Sequence, residues 1–104
     1  MSVLMELTMF PMDKGESMSA WVSRIIGMFD ESELDYRLTP MGTVIEVDDL
    51  EKALKIVADA YSRLETDCNR VYATLKLDIR KGKGGRLAQK IESVEKKLGK
   101  KVKT

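Results

Sequence analysis

A chain of 104 residues, 43% hydrophobic and 34% charged, is long enough for one globular domain and too apolar to be disordered. It contains no histidine, which excludes Ser-His and Cys-His nucleophile pairs and imidazole-ligated metal sites. The net charge of +1 is uneven: residues 1–79 carry 8 basic and 15 acidic side chains, a net −7, and residues 80–104 carry 10 basic and 2 acidic, a net +8.

Residues 2–10, SVLMELTMF, alternate as a strand does. Val3, Met5, Leu7 and Met9 point one way; Leu4, Glu6, Thr8 and Phe10 point the other. Pro11 ends this strand. Ser17 is then expected as the N-cap of a helix whose apolar stripe is Met18, Trp21, Val22, Ile25, Ile26 and Phe29. A polar turn, DESEL, leads to a short strand, DYRLT; Pro40-Met41-Gly42 turns the chain into the strand GTVIEV. Asp48 and Glu51 have the spacing of a capping box, and Leu50, Ala53, Leu54, Val57, Ala58, Tyr61 and Leu64 mark a second amphipathic helix. In the last strand, RVYATLKLDIR, Val71, Ala73, Leu75, Leu77 and Ile79 form an apolar face opposite Tyr72, Thr74, Lys76, Asp78 and Arg80.

The β-α-β-β-α-β order predicts an α+β fold: a ferredoxin-like sandwich over residues 1–80. Four antiparallel strands stand in the order 4-1-3-2, with both helices on one face. Residues 81–104 form a basic C-terminal extension. There the spacing of Leu87, Ile91, Val94 and Leu98 predicts a short helix packing on the body or on a neighbouring subunit. The KGKGG before it lacks the P-loop pattern and reads as a hinge. No apolar run approaches the roughly 18 residues of a membrane span. No basic region precedes an apolar stretch at the start, and the single Cys68 cannot form an internal disulfide, so a cytoplasmic location is expected.

The sheet face away from the helices mixes Leu4, Phe10, Val44 and Tyr72 with acids on the central strands, Glu6 and Glu46, and with Arg37 and Lys76 on the flanking ones. Such a surface predicts association between sheets. Glu46, embedded between Ile45 and Val47, has three candidate partners: the flanking cations, another subunit, or a ligand.

Three stretches carry a family resemblance: MELTMFPMDKGESMSAWV, YRLTPMGTVIEVDDLEKAL and RVYATLKLDIRKG. They resemble the YkoF-like thiamine-binding family, and more closely its single-domain branch, long catalogued as an uncharacterised protein family. The most specific element is Met41, Gly42, Thr43 and Glu46; the chain departs from the pattern at Val47-Asp48, where many relatives carry a glycine. The resemblance implies dimers that pair into a homotetramer through sheet faces, no established catalysis, and a ligand such as thiamine or its hydroxymethylpyrimidine portion. An aminopyrimidine needs an acceptor for its amino group, a donor for a ring nitrogen and apolar walls. Glu6, Thr8, Met41, Thr43, Glu46 and Thr74 are the residues expected to contact it, with Phe10 and Tyr72 as further walls. A non-enzymatic protein without cofactor or metal is therefore expected, with itself and a small molecule as partners. Two other readings stand beside it: a nucleic-acid-associated protein acting through the basic segment, and a purely structural oligomer. Against the first, the basic segment has no aromatic residue to stack on a single strand.

Overall fold

The structure, a computed structural model, describes residues 1–82 and 84–104; Lys83, within the connection read as a hinge, lies outside the described residues. Strand β1 (Ser2–Pro11), helix α1 (Ser19–Glu31), strands β2 (Asp35–Thr39) and β3 (Gly42–Val47), helix α2 (Leu50–Glu65), strand β4 (Val71–Arg80) and helix α3 (Arg86–Leu98) follow one another. The strands form one antiparallel sheet in the order β2-β3-β1-β4, which is the expected 4-1-3-2 order read from the other edge.

The alternation in β1 sets the core. Val3, Met5, Leu7 and Met9 are buried and meet Ile45 of β3 and Phe29 of α1 in one apolar cluster. Full burial of each large side chain stabilises the fold by about 1.5–3 kcal/mol. The loop after β1 is tied to the start of β4 by Asp13, whose carboxylate accepts from the backbone N–H of Asn69 at 2.8 Å.

Both helix starts differ from the sequence expectation. Helix α1 begins at Ser19 with Met18 at the N-cap position and no side-chain cap; the Ser17 hydroxyl lies 3.4 Å from that of Ser19 instead. At α2 the cap is Asp49, not Asp48: Asp49 accepts from the Lys52 N–H at 2.8 Å, and Asp48 pairs with the Lys52 ammonium at 3.1 Å. Two adjacent aspartates offer the same chemistry one residue apart, and backbone direction selects the second.

The buried stripe of α2 is also displaced. Ala53, Ile56, Ala60 and Leu64 face the sheet, whereas Leu50, Leu54 and Tyr61, expected in the core, are exposed. The alanines are fully buried, and their small side chains let the helix lie close to the strands. The apolar side of β4 is not covered either: Leu75, Leu77 and Ile79 remain 39%, 36% and 48% exposed. They stand on the helix-facing side, opposite Leu7, Met5 and Val3 of β1, at the edge of the sheet. Two helices over four strands leave this edge strand open.

Helix α3 returns to the other face and packs against β1, β2 and β3. Gly85, at its N-cap position, has a φ of +72°, a conformation that glycine adopts without the cost of a Cβ. Among the described residues no helix is long and apolar enough to cross a membrane.

Candidate functional site

The six residues expected at a ligand site separate into three places, and strand β3 joins two of them. At its far end Glu46 is engaged by the chain itself. One carboxylate oxygen accepts from the Ser2 hydroxyl at 2.6 Å and from the Arg86 N–H at 3.0 Å; the other accepts from the Leu87 N–H at 3.1 Å. Glu46 is thus the N-terminal cap of α3, supplied from the sheet, and it satisfies amides that a helix start leaves without partners. The Arg86 side chain, 7% exposed, closes the cluster. It donates to the Ser2 hydroxyl and carbonyl at 3.2 and 2.9 Å and to the Asp78 carboxylate at 2.8 Å. Burial pushes the Glu46 carboxyl upward in pKa, but the hydrogen bonds from Ser2, Arg86 and Leu87 and the Arg86 charge together outweigh it. The net result is a pKa below the ordinary glutamate value.

The second place is the open sheet face. Glu6 stands 3.8 Å from the Lys76 ammonium, both largely exposed, and Thr74 lies opposite Thr8 in the β1–β4 register. An exposed pair of this kind is worth under about 1 kcal/mol. Arg37 does not reach Glu46; it turns to Asp35 at 3.5 Å and to the Tyr36 carbonyl at 2.8 Å.

The third place is a cavity of about 310 Å³ between α1 and the Gly42 end of β3. Thr8, Met41 and Thr43 line it, with Met9, Ile25 and Phe29 among its apolar walls and exposed Leu38 and Met41 at its rim. Met18, Val22 and Ile26, on the expected α1 stripe, are only partly buried because they face this hollow.

Its origin is a mismatch of strand lengths. β1 pairs with β4 as far as Pro11, but its ladder with β3 stops at Leu7 opposite Thr43. The Met12 N–H donates to the Arg70 carbonyl on the β4 side, so alternation turns the Met9 N–H and carbonyl the other way. On that side β3 has already ended, leaving the Met9 peptide with no strand partner. Thr43 is a buried residue on the helix-facing side. Its hydroxyl makes no hydrogen bond with another described residue and keeps contact with the open hollow, since no buried side-chain oxygen or nitrogen among the described residues lacks a partner. The hairpin tip, by contrast, is satisfied. Thr8 donates to the Met41 carbonyl at 2.9 Å, and the Thr39 hydroxyl donates to the Gly42 carbonyl at 2.8 Å. Gly42 permits this closure: a Cβ there would sit 2.7 Å from the Thr8 hydroxyl and 3.3 Å from the Leu7 carbonyl.

The cavity therefore presents a backbone donor, a backbone acceptor and a hydroxyl within apolar walls, and its lining contains no ionisable side chain. Side-chain patterns carry no mark of the Met9 peptide, which is why the sequence does not reveal it. Among the described residues no group of acids and cysteine is placed to hold a metal ion.

Comparison with known proteins agrees with this architecture. Residues 5–95 match the family model described as thiamine-binding protein. The UPF0045 protein MJ1052 of Methanocaldococcus jannaschii is 35% identical over 92 residues, covering 88% of this chain and 91% of the relative. The UPF0045 protein YqgV of Bacillus subtilis is 33% identical over 88 residues, covering 79% and 83%. The crystal structure of MJ1052 superposes with a TM-score of 0.78 at 34% identity, over 89% of this chain and 95% of that one. A Thermotoga maritima protein named for thiamine biosynthesis/salvage shares the fold, with a TM-score of 0.76 at 18% identity over 90% and 99% of the two chains.

Proposed function

Because this chain belongs to the thiamine-binding protein family, we propose that its α1 cavity receives the pyrimidine portion of thiamine, or free hydroxymethylpyrimidine. The observation that carries this reading is the unpaired Met9 peptide beside the free Thr43 hydroxyl. An aminopyrimidine edge has the complementary pattern: its amino group donates to the Met9 carbonyl, and the neighbouring ring nitrogen accepts from the Met9 N–H. The ligand would continue the β1 ladder where β3 stops, with the ring between Phe29, Ile25 and the methionines. Methionine side chains suit a wall that must adapt to a flat ring.

Size and charge refine the reading. About 310 Å³ lies at the lower end of the roughly 300–1,000 Å³ of small-molecule sites, enough for one substituted ring. A thiazolium carries a fixed positive charge, and burying it without a carboxylate is costly. It would stay at the Leu38–Met41 rim while the neutral pyrimidine enters. Thr8, Met41 and Thr43 are the expected contact residues that this reading retains; Glu46 serves α3. The protein acts as a cytoplasmic, non-enzymatic binder that assembles with copies of itself. The name of the Thermotoga protein, for thiamine biosynthesis/salvage, is in keeping with this ligand class.

Titration calorimetry with hydroxymethylpyrimidine and with thiamine tests the proposal. Saturable heat with both ligands, at similar affinity, is expected. Absence of heat at millimolar ligand would remove the reading, and binding of thiamine alone would place the recognition on the thiazolium.

A further inference from the structure

The mouth of the α1 cavity is where the charge of a ligand matters most. In thiamine, the methylene that leads to the thiazolium is the one that carries the hydroxyl in hydroxymethylpyrimidine. With the amino edge of the ring against the Met9 peptide and the thiazolium at the Leu38–Met41 rim, that methylene ends at the rim. One position of the ligand therefore presents a positive ring in thiamine or a neutral hydroxyl in the free pyrimidine. In the phosphate ester of that hydroxyl it presents about two negative charges.

The surroundings of the rim suit the first two and not the third. Leu38 and Met41 are 57% and 83% exposed, and every side chain lining the cavity is apolar or a neutral hydroxyl. The basic residues of the adjoining elements are engaged elsewhere. Lys14 and Arg24 lie over the Trp21 ring at 5.6 and 4.3 Å, and Asp67 holds Arg24 on the α2 side at 2.7 Å. Arg37 precedes Leu38 in β2, so alternation directs it to the other face of the sheet, where it meets Asp35 and the Tyr36 carbonyl. Acids are closer: Glu6 Cγ lies 3.7 Å from where a Cβ on Gly42 would stand, and Asp30 accepts from the Tyr36 hydroxyl at 2.8 Å. The start of α1 has no side-chain cap and offers amide donors, but a helix terminus carries only about half a charge, and Glu16 precedes it. Residues 1–79 together carry 8 basic and 15 acidic side chains, a net −7, and basic α3 starts at Glu46, the other end of β3.

We propose, resting on the reading of this cavity as a pyrimidine site, that the protein selects the unphosphorylated ligand: it takes thiamine and free hydroxymethylpyrimidine and rejects hydroxymethylpyrimidine phosphate. Two effects act in the same direction. Bringing a phosphate from water to an apolar rim without a cation or a set of donors costs hydration that nothing returns. The acidic body adds repulsion, which salt screens over about 8 Å at physiological ionic strength. The same field favours the thiazolium, which keeps its own hydration at the rim. Esterifying the hydroxyl thus converts a ligand that fits into one that is expelled, although the ring and its hydrogen-bonding edge are unchanged.

Titration calorimetry with hydroxymethylpyrimidine and with its phosphate, the phosphate also run as a competitor of the alcohol, tests the selection on the full-length protein. The phosphate should bind about tenfold more weakly or worse, and the gap should narrow as salt is raised. Leu38→Arg and Met41→Lys each place a cation at the exposed rim. Each should reduce the ratio of the two affinities about threefold, with circular dichroism confirming the fold. Equal or tighter binding of the phosphate by wild type would overturn the selection, leave the pyrimidine site in place and assign the phosphate to the start of α1. A ratio that neither folded variant moves would also overturn it. Absence of heat with hydroxymethylpyrimidine itself would remove the pyrimidine site, and the selection with it.

Discussion

At the Val47 end of β3, a carboxylate, a hydroxyl, a guanidinium and two helix amides meet, and each finds a partner: Glu46, Ser2, Arg86 and the start of α3. At the Gly42 end, a few residues along the same strand, the Thr43 hydroxyl and the Met9 peptide stand unpaired in a hollow of about 310 Å³. The more charged end is the structural one. The polar cluster fixes the start of α3, and the hollow of about 240 Å³ beside it is lined by acids, Asp35, Glu46 and Asp48. Unpaired groups in apolar surroundings, by contrast, are costly to the free protein. A ligand that supplies the missing partners recovers that cost. If the ligand enters the α1 cavity as proposed, unsatisfied hydrogen-bonding capacity guides to the site better than charge density does.

The largest effect expected from breaking this contrast is on stability. Glu46→Gln replaces an anion that accepts three hydrogen bonds with a neutral amide, and should lower the unfolding free energy by about 2 kcal/mol. Urea titrations measure this, and ligand affinity should stay within twofold of wild type. The same carboxylate gives a pH signature. Its folded-state pKa lies below the ordinary value of 4.5, so its contribution is complete above that value. The contribution is lost as pH falls through the folded-state pKa. Wild type should therefore lose its margin over Glu46→Gln on acidification; a margin constant down to the acid limit would separate Glu46 from the cap.

A smaller effect, confined to binding, is expected at the other end. Thr43→Val keeps the shape and removes the free hydroxyl. Affinity for hydroxymethylpyrimidine should fall about tenfold, equivalent to about 1.4 kcal/mol, with stability unchanged or slightly raised. Lower stability with full affinity would reverse the roles of the two ends.

Much of the fold is legible in the sequence. Strict alternation in residues 2–10 and 71–80 marks the two long strands, and the order of elements fixes the sheet topology. The phase of α2 is not legible, because two apolar stripes share one helix. The larger side chains, Leu50, Leu54 and Tyr61, look like the core, but close approach to the sheet favours Ala53 and Ala60. Hydrophobic size does not by itself tell a buried stripe from an exposed one. Glu46 is visible as an anomaly within an apolar strand, and its partner is not, since α3 reaches it from 40 residues away along the chain. Thr8, Met41 and Thr43 converge on the cavity, while the Met9 groups beside them belong to the backbone and leave no trace in side-chain patterns.

The central claim is that the ligand binds where the β1–β3 ladder stops. Amide chemical-shift mapping on isotopically labelled protein, titrated with hydroxymethylpyrimidine, tests it most directly. The account predicts the largest shifts at Met9 and Thr43, with Met41 and Gly42 next, and little change at Glu46, Arg86 and Leu87. Shifts concentrated at that second group, or on Lys76 and Thr74 of the open face, would contradict it.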